Sequence, residues 1–275
     1  MKKIIAGLRP GRRPPWSLVQ LAAAFIFVAA YAYAGMGQVL ASWQTPASTF
    51  NRVNGIAFEG EYIWVKDKVC ETGGVVKCTK SGSLIREILF PYSGWNDSYG
   101  LAFDGNFLWT IHHEPYIVER YDYYEKYTTN GSWVNGFRAH NYYAYFASNS
   151  LSWDGQYLWT DERRNNQSKP DAAKYTTTGT LVAKFAMPVA WKTASGYYNQ
   201  QLWSGGPNNY IYGMNIGGTL VASFPAPGGS VRAVGFDGNY LWTADANTPQ
   251  YIYKVDIDVV DVEPGSFGKI KGIYR

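Results

Sequence analysis

Five tryptophans close near-copies of one stretch of the sequence: Trp64, Trp109, Trp159, Trp203 and Trp242. The third residue after each is Asp67, His112, Glu162, Gly206 and Asp245, so four of the five are ionisable. His113, Glu114, Asp161, Arg163 and Arg164 stand beside them. Carboxylates and an imidazole gathered at one mouth suit two kinds of chemistry. Oxygen ligands in such a ring would hold a hard cation such as calcium. A histidine beside a carboxylate would instead move protons, with His112, His113 and Glu162 as the acid and base candidates. Aromatic residues fill the segments between the copies: Tyr92 and Trp95, then Tyr142, Tyr143 and Tyr145, then Trp191. Rings beside polar groups fit carbohydrate, because sugar C–H faces pack on aromatic planes while hydroxyls find donors and acceptors. The candidate ligand-binding set is therefore Asp67, His112, Glu162, Asp245, Trp95, Tyr142, Tyr145 and Trp191. A plainer role, as solvated turn residues or as packing between strands, stays open for each of them.

Much other chemistry drops out. The sequence has no Gly-x-Ser-x-Gly elbow, no His-Glu-x-x-His and no phosphate-cradling glycine loop. There are three histidines, the third being His140. Cys70 and Cys78 flank Gly73 and Gly74, which in an oxidising compartment predicts a disulfide across a short loop, with two free thiols as the alternative. A zinc site would need His112 or His113 to join the pair. Asn96, Asn130 and Asn166 match the glycosylation acceptor pattern, a match short enough to arise by chance.

The N-terminus has the form of an export signal. Lys2, Lys3, Arg9, Arg12 and Arg13 form a basic region without an acidic residue, an apolar run follows, and Ala32-Tyr33-Ala34 supplies a small-x-small cleavage site. Arg12 and Arg13 are followed by prolines, which argues against the twin-arginine route. Residues 18–34 make a 17-residue stretch, at the lower edge of a membrane span, so an uncleaved anchor is the alternative. Removal of residues 1–34 leaves 20 basic against 21 acidic residues, and no basic footprint for nucleic acid remains.

The elements that must position these groups come from internal repetition. Gly55-Ile-Ala-Phe-Glu-Gly-Glu-Tyr-Ile-Trp64 returns as Gly100-Leu-Ala-Phe-Asp-Gly-Asn-Phe-Leu-Trp109, as Ser150 to Trp159, in a shortened form as Gly196 to Trp203, and as Ala233 to Trp242. The tryptophans stand 45, 50, 44 and 39 residues apart. Asp-Gly between apolar runs is a hairpin signal, since glycine accepts φ > 0 and aspartate bonds its own backbone. A second motif alternates with the first: Gly179-Thr-Leu-Val-Ala-Lys-Phe and Gly218-Thr-Leu-Val-Ala-Ser-Phe, with Gly82 and Gly131 opening two more copies. A third strand lies between the motifs, at Tyr210-Ile-Tyr-Gly213 and Tyr251-Ile-Tyr-Lys254. No outer-strand copy follows the last hairpin; it stands at the other end, as Gly37-Gln-Val-Leu-Ala-Ser-Trp43. This predicts an all-β fold, a five-bladed β-propeller of four-stranded antiparallel blades, closed by an N-terminal strand that completes the C-terminal blade.

With these motifs the chain resembles bacterial exported propellers of the NHL and YVTN-repeat kind. The resemblance covers nearly all of the chain after residue 34 and implies an architecture; it carries no catalytic motif over, because propellers host binding modules, lyases and cyclotransferases alike. The expected organisation is a signal at 1–34, a propeller at 35–260 and a tail at 261–275, ending in Lys269, Lys271 and Arg275. The tail is either a frayed end or a sorting signal. The functional expectation is a secreted, periplasmic or cell-surface binding propeller for a carbohydrate or protein ligand. It takes no nucleic acid, and meets a membrane only through an uncleaved signal or the tail. No cofactor is called for, calcium being the one ion the acidic ring would suit. The alternatives are an exported lyase or cyclotransferase at the channel mouth and a structural part of a surface assembly.

Overall fold

Three of the five hairpin turns are held by the aspartate that opens them. Asp104 Oδ1 accepts the N–H groups of Asn106 and Phe107 at 2.9 and 2.8 Å, and its Oδ2 accepts the indole N–H of Trp109 at 2.7 Å. Asp154 does the same for Gln156, Tyr157 and Trp159, and Asp237 for Asn239, Tyr240 and Trp242. Glu59 takes the indole of Trp64 at 2.8 Å. A lysine from the third strand then lies over the aromatic residue two before each tryptophan: Lys77 over Tyr62, Lys126 over Phe107, Lys174 over Tyr157 and Lys254 over Tyr240, at 4.3, 4.0, 4.1 and 3.7 Å. Burial raises the pKa of Asp154 and Asp237, but the backbone and indole donors and a nearby lysine outweigh it, holding both below the ordinary carboxylate range.

The computed structural model describes residues 36–45, 53–67, 74–90, 98–113, 122–139, 148–162, 168–190, 195–247 and 249–257. Among them are twenty strands and no α-helix. β1 (Gln38–Gln44) comes first in the chain but belongs to the last sheet. Blade 1 is β2 (Val53–Glu59), β3 (Tyr62–Asp67), β4 (Gly74–Thr79) and β5 (Leu84–Leu89). Blade 2 is β6 (Ser98–Phe103), β7 (Phe107–His113), β8 (Asp122–Thr128) and β9 (Trp133–Ala139). Blade 3 is β10 (Leu151–Trp153), β11 (Leu158–Glu162), β12 (Asp171–Tyr175) and β13 (Leu181–Ala186). Blade 4 is β14 (Gly196–Tyr198), β15 (Gln201–Gly205), β16 (Tyr210–Asn215) and β17 (Leu220–Pro225). In blade 5, β18 (Ala233–Phe236), β19 (Leu241–Ala244) and β20 (Tyr251–Asp256) are completed by β1, in the order β18-β19-β20-β1. The chain is a five-bladed β-propeller, closed as its repeats require.

Tryptophan joins the blades. The five repeat tryptophans are at most 2% exposed. Each meets an aromatic residue on the inner strand of the next blade. Tyr197 stacks on Trp159 at 6.4 Å, Phe236 meets Trp203 at 6.1 Å, and Phe58 meets Trp242 at 5.7 Å across the closure. Phe103 and Trp153 pack in the same clusters as Trp64 and Trp109. At the periphery the fit between blades needs glycine. Gly37 has φ +88° and a Cβ there would lie 2.7 Å from the ring of Phe224; Gly82 has φ +90° and would strike Trp43 at 2.7 Å. So β1 is gripped on both sides, its glycine by blade 4 and its tryptophan by blade 1.

Blade 4 departs from the pattern. Its turn is Asn199-Gln200, both at positive φ (47° and 60°), so no carboxylate caps it. Gly213 stands opposite Trp203, where other blades carry lysine, and a Cβ there would meet the indole at 2.8 Å. Trp203 Nε1 is buried without a hydrogen-bond partner among the described residues. The disulfide expected between Cys70 and Cys78 is not found. Cys78 is a free, fully buried thiol in β4 beside Ile63 and Trp242, and Cys70 lies outside the described residues. Burial pushes the Cys78 thiol up to about 11, so it is unreactive at neutral pH.

The closure model makes one energetic prediction. Trp43→Ala removes the ring that fills the gap beside Gly82, and is expected to cost about 3 kcal/mol, in the range for deleting a large aromatic from a packed site. Urea unfolding of the two proteins measures this, and a loss below about 1 kcal/mol would show that β1 is an ornament of the ring.

Candidate functional site

The two faces of the ring differ in how the chain crosses them. On the face of the Asp-Gly turns, connections are two to five residues long; on the opposite face, here called the loop face, they run from four to eleven. Long connections on a rigid scaffold are where binding groups collect. Between the faces, the inner strands converge on a cavity of about 90 Å³ lined by Phe58, Phe103, Trp153, Tyr197 and Phe236, one aromatic from each blade. Ser152 and Ser195 line it as well, and no ionisable side chain does.

The ionisable residues expected around the channel mouth therefore lie one strand further out. His112, Glu162 and Asp245 stand at the loop-face ends of β7, β11 and β19, and strand alternation turns them away from their own tryptophan toward the preceding blade. His112 enters the groove between blades 1 and 2. Its Nδ1 is 3.2 Å from Glu125 Oε2, and its ring stacks on Tyr123 at 4.9 Å. Tyr127 donates its hydroxyl to Glu125 at 2.6 Å, and the buried ammonium of Lys66 adds its charge nearby. Burial raises the pKa of Glu125, but the imidazole, the phenol and the ammonium together hold it below the usual range. The imidazole Nδ1 thus lies against an ionised carboxylate but outside hydrogen-bond geometry.

Glu162 enters the groove between blades 2 and 3 and is 5% exposed. It accepts the hydroxyl of Tyr175 and pairs with Lys184, which also reaches Asp171 at 3.6 Å. In the same groove Asp122 accepts the hydroxyl of Ser148 at 2.5 Å. Burial, followed by the carboxylates of Asp122 and Glu162, raises the phenol of Tyr124 well above its ordinary value. Asp245 is wholly buried and its acceptors are taken by Tyr251 N–H, Asn247 and Tyr253. Burial and that carboxylate push the Tyr253 phenol up to about 12. Asp245 thus ties the loop after β19 to β20.

The structure brings His112, Glu162 and Asp245 to one face but into three separate grooves. Lys66, Glu125, Asp122, Asp171 and Lys184 join them from neighbouring strands. Their signal was positional: Tyr123 and Asp171 pair with His112 and Glu162, so Asp122 and Glu125 flank the same register row of β8. The side chains of Asp67 and His113, and residues Tyr92, Trp95, Glu114, His140, Tyr142, Tyr143, Tyr145, Arg163, Arg164 and Trp191, lie outside the described residues. Among the described residues no three acidic, histidine or cysteine side chains converge as metal ligands.

No protein-family model matches the chain, and no curated protein matches it. Solved structures do. The glutaminyl cyclase of Myxococcus xanthus superposes with a TM-score of 0.60 at 12% identity, over 82% of this chain and 97% of that one. The PQQ-bound aldose sugar dehydrogenase of Streptomyces coelicolor gives 0.51 at 12% identity, over 82% of this chain and 98% of that one. The likeness is one of fold.

Asp161 yields a pH prediction. It is buried at the end of β11, where its Oδ1 accepts the N–H groups of Asn149 and Ser150, both at 2.8 Å. Burial outweighs these bonds and raises its pKa to about 6. A folded pKa above the unfolded one, about 4, means stability present in full at lower pH and lost as pH rises through 6. Asp161→Asn keeps an acceptor for both N–H groups without the charge. It is expected to stabilise the protein by about 2 kcal/mol at pH 8 and by little at pH 4, read from urea midpoints at both. An equal effect at the two pH values would contradict the assignment.

Proposed function

We propose that this chain is an extracytoplasmic binding propeller of the exported NHL/YVTN kind, holding a carbohydrate or protein ligand on its loop face. The observation that carries the reading is the asymmetry of the ring. The turn face is closed by short connections, with carboxylates already spent on their own turns and indoles. The loop face gathers buried or half-buried charged groups from three grooves beneath its longer connections. The sequence adds Trp95, Tyr142, Tyr145 and Trp191 to those connections. Aromatic residues combined with charged groups suit a glycan.

Thermal unfolding of the full chain, with cell-surface oligosaccharides, calcium and EDTA in turn, tests the reading. A bound glycan at a hundred times its Kd stabilises by about 2.7 kcal/mol, which shows as a rise of several degrees. Trp191→Ala with Tyr142→Ala is expected to abolish that rise and leave the unliganded midpoint unchanged. A rise untouched by these substitutions would place the ligand elsewhere, and no rise with any glycan would overturn the carbohydrate reading.

One observation favours a second reading, a cyclotransferase-like enzyme. His112 with Glu125 behind it has the arrangement of a general base with an orienting carboxylate. Glutaminyl cyclase chemistry on a peptide with N-terminal glutamine would be seen by mass spectrometry as loss of ammonia. His112→Gln is expected to abolish it and Glu125→Gln to shift its pH profile; turnover that survives His112→Gln excludes this base.

A further inference from the structure

The outer strands expose what the rest of the ring buries. In every blade the second and third residues after the positive-φ glycine are apolar, as in Val39-Leu40, Leu84-Ile85 and Leu181-Val182. In four blades both residues are 43% to 50% exposed; in blade 2 Trp133 is exposed and Val134 half-buried. Each pair marks a β-bulge. Leu84 pairs with Cys78 and Arg86 with Lys77, so Ile85 is the extra residue; Leu40 and Val182 are skipped in the same way, and the shift recurs in blades 2 and 4. A bulge twists an edge strand and blocks further pairing there. Edges guarded in this way usually carry charge at the exposed point; here they carry Leu, Ile and Val, and in blade 2 an exposed Trp133. Single exposed apolar side chains need no explanation, but a pair repeated around one rim does.

The rim is the one at the turn face, since each pair begins its outer strand just after a turn on that face. The chain also enters and leaves the ring there: Gly37 N–H bonds Asp256 C=O at 2.8 Å. In sequence, the apolar run of residues 18–34 ends three residues before Gly37, and the tail beyond Asp256 ends in Lys269, Lys271 and Arg275.

We propose that the turn face rests on a lipid surface, the apolar pairs entering the boundary between headgroups and acyl chains and the loop face turned away. Stable attachment to a membrane takes two signals. The apolar rim is one, and the flanking apolar run or basic tail is the other. Trp133, 48% exposed, is of the residue type enriched at membrane interfaces. The inference does not depend on what the loop face binds.

Hydroxyl-radical footprinting of the full chain, free and on vesicles of phosphatidylcholine with phosphatidylglycerol, tests it. On vesicles, oxidation of Leu84, Ile85, Leu181 and Val182 is expected to fall about fivefold, while the loop-face residues Leu89 and Tyr210 keep their reactivity. Unchanged oxidation of the rim, or protection of Leu89 and Tyr210 instead, would overturn the proposal. So would rim protection that rises with protein concentration in the absence of vesicles, the mark of a second copy docking there. The quadruple variant Leu40→Asn, Ile85→Asn, Val182→Asn, Val221→Asn changes only half-exposed positions. It is expected to keep the parent's melting midpoint and to lose several-fold in vesicle flotation at high salt; undiminished flotation would also count against the rim.

Discussion

The ring depends on one contact made five times: the indole of each repeat tryptophan against an aromatic residue of the following blade. A blade by itself is a twisted sheet with two apolar faces and cannot cover either. Stacking the blades buries each tryptophan to within 2% of complete exclusion. A ring of this size buries roughly 150–250 Å², worth about 4–6 kcal/mol in transfer terms, so each interface carries a large part of what holds its two blades together. The turn carboxylates matter for the same reason. A buried indole N–H without an acceptor costs about 1–3 kcal/mol, and Asp104, Asp154, Asp237 and Glu59 supply acceptors while shaping the hairpin.

The same logic explains why the architecture was legible from sequence. Asp-Gly-x-aromatic-Leu-Trp encodes a turn, its cap and its packing in a few residues, and the displaced outer-strand motif at Gly37 announces the closure. Blade 4 was harder, because Asn199-Gln200 and Gly213 replace both polar partners of Trp203. What the sequence could not convey was direction. Counting three residues from each tryptophan found His112, Glu162 and Asp245. It did not show that alternation aims them between blades, away from the channel. Nor could it supply their partners, since Glu125 meets His112 through strand register and Lys66 approaches from another blade. Of the cysteine pair, β4 carries Cys78 inward as a buried thiol, and Cys70 lies outside the described residues.

A polar layer over an apolar ring divides labour within the fold. On the turn face, Asp104, Asp154 and Asp237 are committed to backbone and indole donors. The loop face retains groups held ionised by neighbours, as Glu125 is, or poised near neutrality, as Asp161 is. Charged groups in grooves between rigid sheets can alter without disturbing the tryptophan contacts below them. The scaffold is therefore free to vary its upper surface.

The hydrogen bond from Gly37 to Asp256 has a topological meaning. It brings the first and last strands of the ring as near as two residues of one hairpin, so the circle of blades has no intrinsic beginning. Any of the short turns between strands is an equivalent place to cut, and the existing seam an equivalent place to splice. The order in which the blades are written along the chain is then an accident of where the gene opens the circle.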